Sequence, residues 1–477
     1  MNLLVCLILL CVSNAANWAV LVAGSSTFEN YRHQADIFHA YQILIKNGFD
    51  KSKIIVMAHD GNTFAKYNPF PGHIFNVPDG PDVYIGTDNI DYKGDNVTAA
   101  NFFAVLKGDS ATAGARVLQS GPDDNVFVFF DGHGSKGVLF FPTGKYGYAD
   151  ELHEAIQTMH TKGMYNKLLF YMESCYSGSM FDGLTDDLNV YVLTAANAVE
   201  PSYAQYCNIP KYKVCLSNEW SASWLAFSEY SNVYNTSISE EYEYTVASVN
   251  MSHPSAYGRT DISSHMLSEF QAGNSQNTLH TTNSSIEKDI NAQSEKEKEK
   301  EKSSFVSVSS HPLSQTDATL SFYQSLANTD GIFSPAATQF KQHLLLVDKT
   351  AEKMKKLANF FGFKYPDTKY NEKMQQKYSQ RRSYVASIQS TPSVPFNYSL
   401  YRQSIDEYEK KQGKLNEITA YPLTNILHRA ISEGILTDKD NKNKNKSNSG
   451  RNYYYYYYKN DGKSASFDEY SDFLDNL

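Results

Sequence analysis

Beyond its first dozen residues, this 477-residue chain contains no apolar run near the ~20 residues that a bilayer-spanning helix requires, so the product freed of its leader is expected to be soluble. It also has no basic surplus. The 43 Lys and Arg stand against 52 Asp and Glu, a net charge of −9, so nothing in the composition suggests the concentrated basic face that nucleic-acid binding needs. No internal structural repeat is present. Cysteine is scarce, five in all, and each one has to be accounted for. What the chain does have is length and 41% hydrophobic residues. Single cores stop growing near ~250 to 300 residues, so one large domain and a second, smaller unit are expected.

Residues 1–16 read as a signal peptide: an apolar run over 3–12 leads into Ser13, Asn14, Ala15 and Ala16, small residues suited to cleavage. The usual basic start is missing, and an N-terminal core strand is the other reading. A leader implies the secretory pathway, ending in secretion or in a lysosome or vacuole. Cys6 and Cys11 depart with it, leaving Cys175, Cys207 and Cys215. Three is odd, which invites one pair and one free thiol. Cys207 and Cys215 sit close together in a polar, Pro-containing segment and form the natural short-loop disulfide of an oxidising compartment. Cys175 is then free, and a lone thiol on that route needs a reason.

Residues 18–23, 54–57, 126–130, 167–172 and 190–193 are apolar runs of buried-strand length. Asp36, Ile37, Ala40, Tyr41, Leu44 and Ile45 recur at helix spacing, and 101–106 and 148–159 read as further helices. The alternation predicts an α/β domain over 17–273, a mostly parallel central sheet flanked by helices on both faces. Residues 274–304, which carry the EKEKEKEK run, read as a low-complexity linker. A helical unit is expected over 305–437, with Phe340, Leu344, Val347, Ala351, Met354 and Leu357 on one stripe and a second amphipathic stretch over 423–435. Residues 438–477, with their Asn-Lys repeat, six-Tyr tract and acidic end, read as disordered.

Two of the predicted strands end in reactive-looking sequence. One runs into Asp131, Gly132, His133, Gly134 and Ser135, the other into Glu173, Ser174, Cys175 and Tyr176. Parallel sheets bind ligands at the carboxyl ends of their strands, and two neighbouring ends would bring His133 and Cys175 to one rim. A nucleophilic thiol needs a proton acceptor, which an imidazole supplies. The backbone N–H groups of Gly134 and Cys175 are candidate oxyanion donors. Taken singly, a Cys after an apolar strand is usually core and a His between glycines is usually a loop residue. The pair together favours catalysis.

The strings NYRHQAD (30–36), NVTAANFFAVLKGD (96–109), GHGS (132–135) and ESCYSGSM (173–180) resemble the legumains, asparaginyl endopeptidases of the caspase-like clan, and the likeness runs from about 18 to 273. The resemblance implies a caspase-like α/β sandwich and cleavage after Asn, more weakly after Asp, through a thioester. It implies a Cys175–His133 dyad with Asn30 orienting the His. It implies an S1 pocket of Arg32, His33, Glu173 and Ser202, with Glu219 in place of an Asp. The segment 206–216 resembles the disulfide-closed loop of plant members. A helical prodomain is implied after the linker, acting as an intramolecular inhibitor until acid releases it and the linker is cut at Asn274, Asn277, Asn283 or Asn291. Protein and peptide substrates follow, and no metal or organic cofactor is required. Gly132 and Pro201 depart from the family pattern. A GPI-transamidase-like subunit and an inactive scaffold are the alternatives; the absent C-terminal anchor opposes the first, and retention of Asn30, His133 and Cys175 opposes the second.

Overall fold

The computed structural model describes residues 15–273, 312–330, 335–363, 396–438 and 464–477. The apolar run of the leader, the linker over 274–304 and the six-Tyr tract lie outside the described residues. Five parallel strands, β1 (Asn17–Ala23), β2 (Ile54–Met57), β3 (Asn125–Asp131), β4 (Lys167–Glu173) and β5 (Val190–Thr194), match the apolar runs to within a residue or two. Two short strands, β6 (Tyr203–Gln205) and β7 (Ser217–Asn218), form a separate sheet, and β8 (Ser255–Gly258) closes the main one. The main order is β8-β5-β4-β3-β1-β2, with β8 alone antiparallel.

Successive side chains along the strands supply opposite layers. Leu21, Phe127, Phe129 and Tyr171 face one core with helices α1 (Tyr31–Lys46) and, further along the chain, Glu219–Tyr230; Val20, Val128, Phe130 and Phe170 face the other with α2 (Ala99–Leu106) and α3 (Ala149–Thr161). Helices on both faces explain why the strands read as continuous apolar runs rather than alternating ones. The helix Glu219–Tyr230 is α4, and α5 (Ile238–Ser248) packs on it.

The second unit begins with a short strand, β9 (Leu313–Ser314), which pairs antiparallel with β6 and leads directly into α6 (Gln315–Asp330). Helices α7 (Pro335–Phe360), α8 (Tyr398–Gln412) and α9 (Glu417–Ser432) follow. Their core, built on Met354, Leu357, Tyr401, Ile405, Leu423 and Leu427, also takes in Val138 and Tyr148 of the first domain, so the two units share apolar surface. The expected stripe on α7 is only half buried: Met354 and Leu357 are inside, whereas Leu344 is 43% exposed because α7 reaches α9 only along its later turns. Among the described residues no helix is long and apolar enough to cross a membrane.

The expectation of disorder through 438–477 fails at its end. Residues Phe467–Leu474 form α10, opened by a capping box between Ser466 and Glu469. A parallel pairing of β10 (Leu436–Thr437) with β11 (Ala465–Ser466) holds the segment in place. Phe467, Tyr470, Phe473 and Leu474 recur at helical spacing within the acidic stretch and pack into the C-terminal core, where Tyr470 is fully buried and its hydroxyl donates to Ser404 O at 2.9 Å. Tyr470→Ala should therefore cost about 3 kcal/mol, as large-to-small changes of buried aromatics do. Equilibrium denaturation of the full chain carrying Cys175→Ala checks this.

Candidate active site

The site begins with strand register. Asp131 lies opposite Ala23 on one side and Glu173 on the other, so β3 and β4 end at the same level. His133 and Cys175, each two residues past that level, therefore emerge side by side. Gly134 allows the close approach: a Cβ there would sit 2.7 Å from Ser174 Oγ and 3.0 Å from the Cys175 carbonyl oxygen. The chain turns sharply after the thiol. Tyr176 takes a left-handed conformation, φ 56°, and its N–H donates to Glu200 O at 2.8 Å. A bulky residue there is strained, a cost that active sites commonly carry. At Gly132, which departs from the family pattern, a Cβ would meet Gly24 Cα at 3.0 Å, so the surroundings are fitted to glycine.

Asn30 stands at the N-cap position of α1 but makes no capping bond. Its carboxamide serves the imidazole instead: His133 Nε2 donates to Asn30 Oδ1 at 2.8 Å, while Asn30 Nδ2 donates to Ser26 O at 3.1 Å. An amide oxygen only accepts, so these partners assign the proton to Nε2 and leave the Nδ1 lone pair facing the rim. Nδ1 is occupied: the hydroxyl of Tyr421, on α9, donates to it at 3.0 Å and also hydrogen-bonds the Cys175 thiol. Cys175 is buried and is the free cysteine among the described residues, Cys207 and Cys215 being disulfide-linked across a separation of eight residues. Ser202 N donates to Cys175 Sγ at 3.4 Å. Burial pushes the thiol up to about 12, so it is protonated in this closed form.

Four of the five expected S1 residues gather beyond the dyad. Arg32, His33, Glu173 and Ser202 are all buried. Ser221 donates to Glu173 Oε2 through N and Oγ, at 3.2 and 3.1 Å. Glu173 Oε1 and Ser202 Oγ are buried without a hydrogen bond of good geometry among the described residues, but Ser202 lies near enough to Glu173 to lower its carboxyl pKa, so the two are only partly satisfied by each other. Glu219 is the exception. Its carboxyl turns away and accepts from Asn250 N at 2.9 Å and Met251 N at 3.2 Å. The group beside Arg32 is Asn218, whose Oδ1 accepts from Arg32 Nε at 3.0 Å. Sequence reasoning missed Asn218 by one position and missed Tyr421 altogether. An Asn two residues into the turn after Cys215-Leu216 was the only available signal for the first; Tyr421 had none.

The carboxyls under the site are pushed the same way. Burial raises Glu173 to about 8, with Asp36 adding to it, and raises Asp131, where Asp36 and Glu173 contribute next. Asp36 rises for the same first reason, despite accepting from Asn76, Ser217 and Asn218. His33 is held neutral by burial, then by Arg32 and His133. An acid whose folded pKa exceeds its unfolded value binds more protons when folded, so stability falls with rising pH between the two values. For Glu173 that window runs from about 4.5 to about 8. The unfolding free energy of the Cys175→Ala chain should decline across that window, and Glu173→Gln should flatten the decline; denaturant melts at a series of pH values measure both.

The model of the Peptidase C13 family matches residues 17–282, more than half of the chain. The chain is 42% identical over 284 residues to a vacuolar-processing enzyme of Citrus sinensis, covering 56% of this chain and 57% of that protein. It is 41% identical over 259 residues to the legumain of Homo sapiens, covering 54% and 59%, and 42% identical over 266 residues to a hemoglobinase of Schistosoma japonicum, covering 54% and 61%. The match thus spans little more than half the length of these relatives. Caspase-1 from Spodoptera frugiperda superposes with a TM-score of 0.32 at 10% identity, covering 51% of this chain and 87% of that one, so the fold assignment rests on strand order instead. A family model that matches residues 17–282, a span containing both β3 and β4, places the chain in the Peptidase C13 family.

Proposed function

We propose that this protein is a cysteine endopeptidase cleaving after Asn, more weakly after Asp, and made as a latent precursor. The observation carrying the reading is the His133 tautomer: Asn30 holds Nε2–H, and Nδ1 turns its lone pair toward the end of β4 where Cys175 lies. In the open enzyme Nδ1 accepts the thiol proton as Sγ attacks the carbonyl carbon after the P1 residue. The oxyanion takes N–H bonds from Gly134 and Cys175. His133 then returns the proton to the leaving amine, a thioester forms, and water releases the acid. An Asn side chain presents one acceptor and two N–H donors. Arg32 and Ser202 suit the carbonyl, and Glu173 Oε1 suits the amide.

The C-terminal unit is the inhibitor in this reading. Tyr421 fills the space between base and nucleophile, and α9 is fixed beside it by Thr424 Oγ1 donating to Ser135 Oγ at 2.6 Å. Tyr401 OH donates to Lys136 O at 2.8 Å, Tyr146 OH to Glu409 Oε1 at 2.6 Å, and Arg402 pairs with Asp150. Acid would protonate carboxylates at the interface between the units, loosen this contact and expose the linker to cutting. The Cys207–Cys215 disulfide and the relatives named vacuolar-processing enzyme both fit a secretory route to a lysosome or vacuole.

Peptides differing only in Asn, Asp or Gln at P1 test the activity. Asn-selective turnover should appear after acid treatment and vanish in Cys175→Ala; no turnover in any form would refute the reading. The latency has its own test. Tyr421→Ala precursor, assayed before any acid step, should turn over Asn peptide at least ~10-fold faster than the unaltered precursor, since one blocking hydrogen-bonded group of about 1.4 kcal/mol is worth that factor.

A further inference from the structure

The turn that carries the nucleophile is cradled by one stretch of chain, residues 196–202, which follows β5 and leads into β6. Ser177 Oγ donates to Ala196 O at 3.0 Å and accepts from Ala196 N at 3.1 Å, and Gly178 N donates to the same carbonyl at 3.1 Å. At Gly178 a Cβ would sit 2.7 Å from Ala198 N, so the two segments lie backbone to backbone. Tyr176 N donates to Glu200 O at 2.8 Å, which fixes the peptide leaving Cys175 and the left-handed residue that follows. Ser202 N then reaches Cys175 Sγ at 3.4 Å. The carboxyl of Glu200 shapes this cradle. Its Oε1 accepts from Asn197 N at 3.3 Å, closing the bend on itself, and from His253 N at 2.6 Å, tying the bend to the loop ahead of β8. Its Oε2 accepts from His253 Nδ1 at 2.8 Å. That loop is anchored in turn: Ser252 Oγ donates to Ala195 O at 2.7 Å, and Glu219 holds the backbone of Asn250 and Met251.

We propose that Glu200 is a positioning residue for Cys175: its carboxyl holds the 196–202 segment in the shape against which the nucleophile turn is set. The inference rests on the endopeptidase reading above. Glu200 acts through backbone, by its own carbonyl on the peptide leaving Cys175 and by the adjoining Ser202 N–H on Sγ. Its side chain is 16% exposed, and a carboxylate bonded to backbone N–H groups makes hydrogen bonds of the stronger kind. The His253 side chain is 45% exposed, so its imidazole adds little, as exposed ion pairs do. Without the carboxyl, Asn197 N and His253 N lose their acceptor and the bend relaxes, leaving the thiol present but badly aimed. A misplacement of about 1 Å costs up to ~100-fold in a reaction that depends on alignment. An amide oxygen accepts the same N–H bonds, so Glu200→Gln keeps the shape. Glu200→Asp keeps the charge but draws the acceptor back by one methylene and does not.

The experiment measures kcat and KM on a P1-Asn peptide with acid-treated full-length protein. Each preparation is normalised to the thiol titrated by iodoacetamide at about pH 5.5, where the thiol of an unfolded chain stays protonated and slow. Glu200→Ala and Glu200→Asp should each lower kcat at least ~10-fold with KM held within ~3-fold, Glu200→Gln should keep kcat within ~3-fold of the unaltered protein, and His253→Ala within ~2-fold. The alkylation rate should stay within ~3-fold throughout, since that reaction needs a thiolate but no alignment with a carbonyl. Normalisation removes molecules that failed to fold or to open, so a residue that only stabilises the fold gives no fall in kcat per titrated thiol. That result overturns the inference, as does a rise in KM at unchanged kcat, a loss of alkylation parallel to the loss of kcat, or a Gln variant as slow as Ala; each leaves the endopeptidase reading intact. Absence of turnover in the unaltered acid-treated protein removes both.

Discussion

Everything at the site depends on the in-register pairing of β3 with β4. Asp131 opposite Glu173 brings both strands to one level, and from there two short, small-residue turns deliver a base and a thiol to the same rim. A slip of one residue would send the alternating side chains to the wrong layers, exchanging Phe129 and Tyr171 with Phe130 and Met172, so the two apolar cores hold the chemistry in place. The same alignment gathers buried carboxyls under the rim, because Asp131 and Glu173 are the last strand residues. Asp36 from α1 joins them through Asn218. Polar groups this deep weaken the fold at neutral pH, and their hydrogen bonds to Asn76, Ser217, Asn218 and Ser221 limit the cost.

The second unit closes what the first assembles. Its core continues into the first domain through Val138 and Tyr148, and Tyr421 reaches His133 and Cys175 from a helix whose position that shared core sets. Closure has a chemical consequence as well as a steric one. Burial raises the covered thiol to about 12, so under the proposed function the second unit keeps Cys175 protonated as well as covered. Opening would return water to Sγ and free Nδ1 at one stroke. Short strand β9 adds a second contact across the pocket, lying antiparallel on β6 just past Ser202.

Much of this was legible in the residues. Long apolar runs bounded by turns marked the five parallel strands, and two of them ending in His133 and Cys175 marked the rim, because strand length and strand ends are local signals. The pairing of Cys207 with Cys215 was legible because eight residues of separation leave few other solutions. What failed is equally specific. The resemblance implies Glu219 in place of a pocket Asp, and only the geometry of the β7–α4 junction shows that Asn218, not Glu219, faces Arg32. The helix α10 was hidden by its acidic composition, although Phe467, Tyr470 and Leu474 carry helical spacing. Tyr421 could not be found at all: it lies 288 residues from His133, and nothing local distinguishes it from any other aromatic on an amphipathic helix.

Under the proposed function, a complete dyad exists in the precursor and is held protonated and plugged by the C-terminal unit. The most direct measurement is the rate of Cys175 alkylation by a small neutral reagent as a function of pH, on the intact precursor and again after acid processing. A slow reaction with a midpoint near 12 in the precursor, becoming fast with a midpoint far lower after processing, is the predicted result. Equal rates and equal midpoints in the two forms would contradict it, for the thiol would then be as exposed and as acidic under the cover as without it.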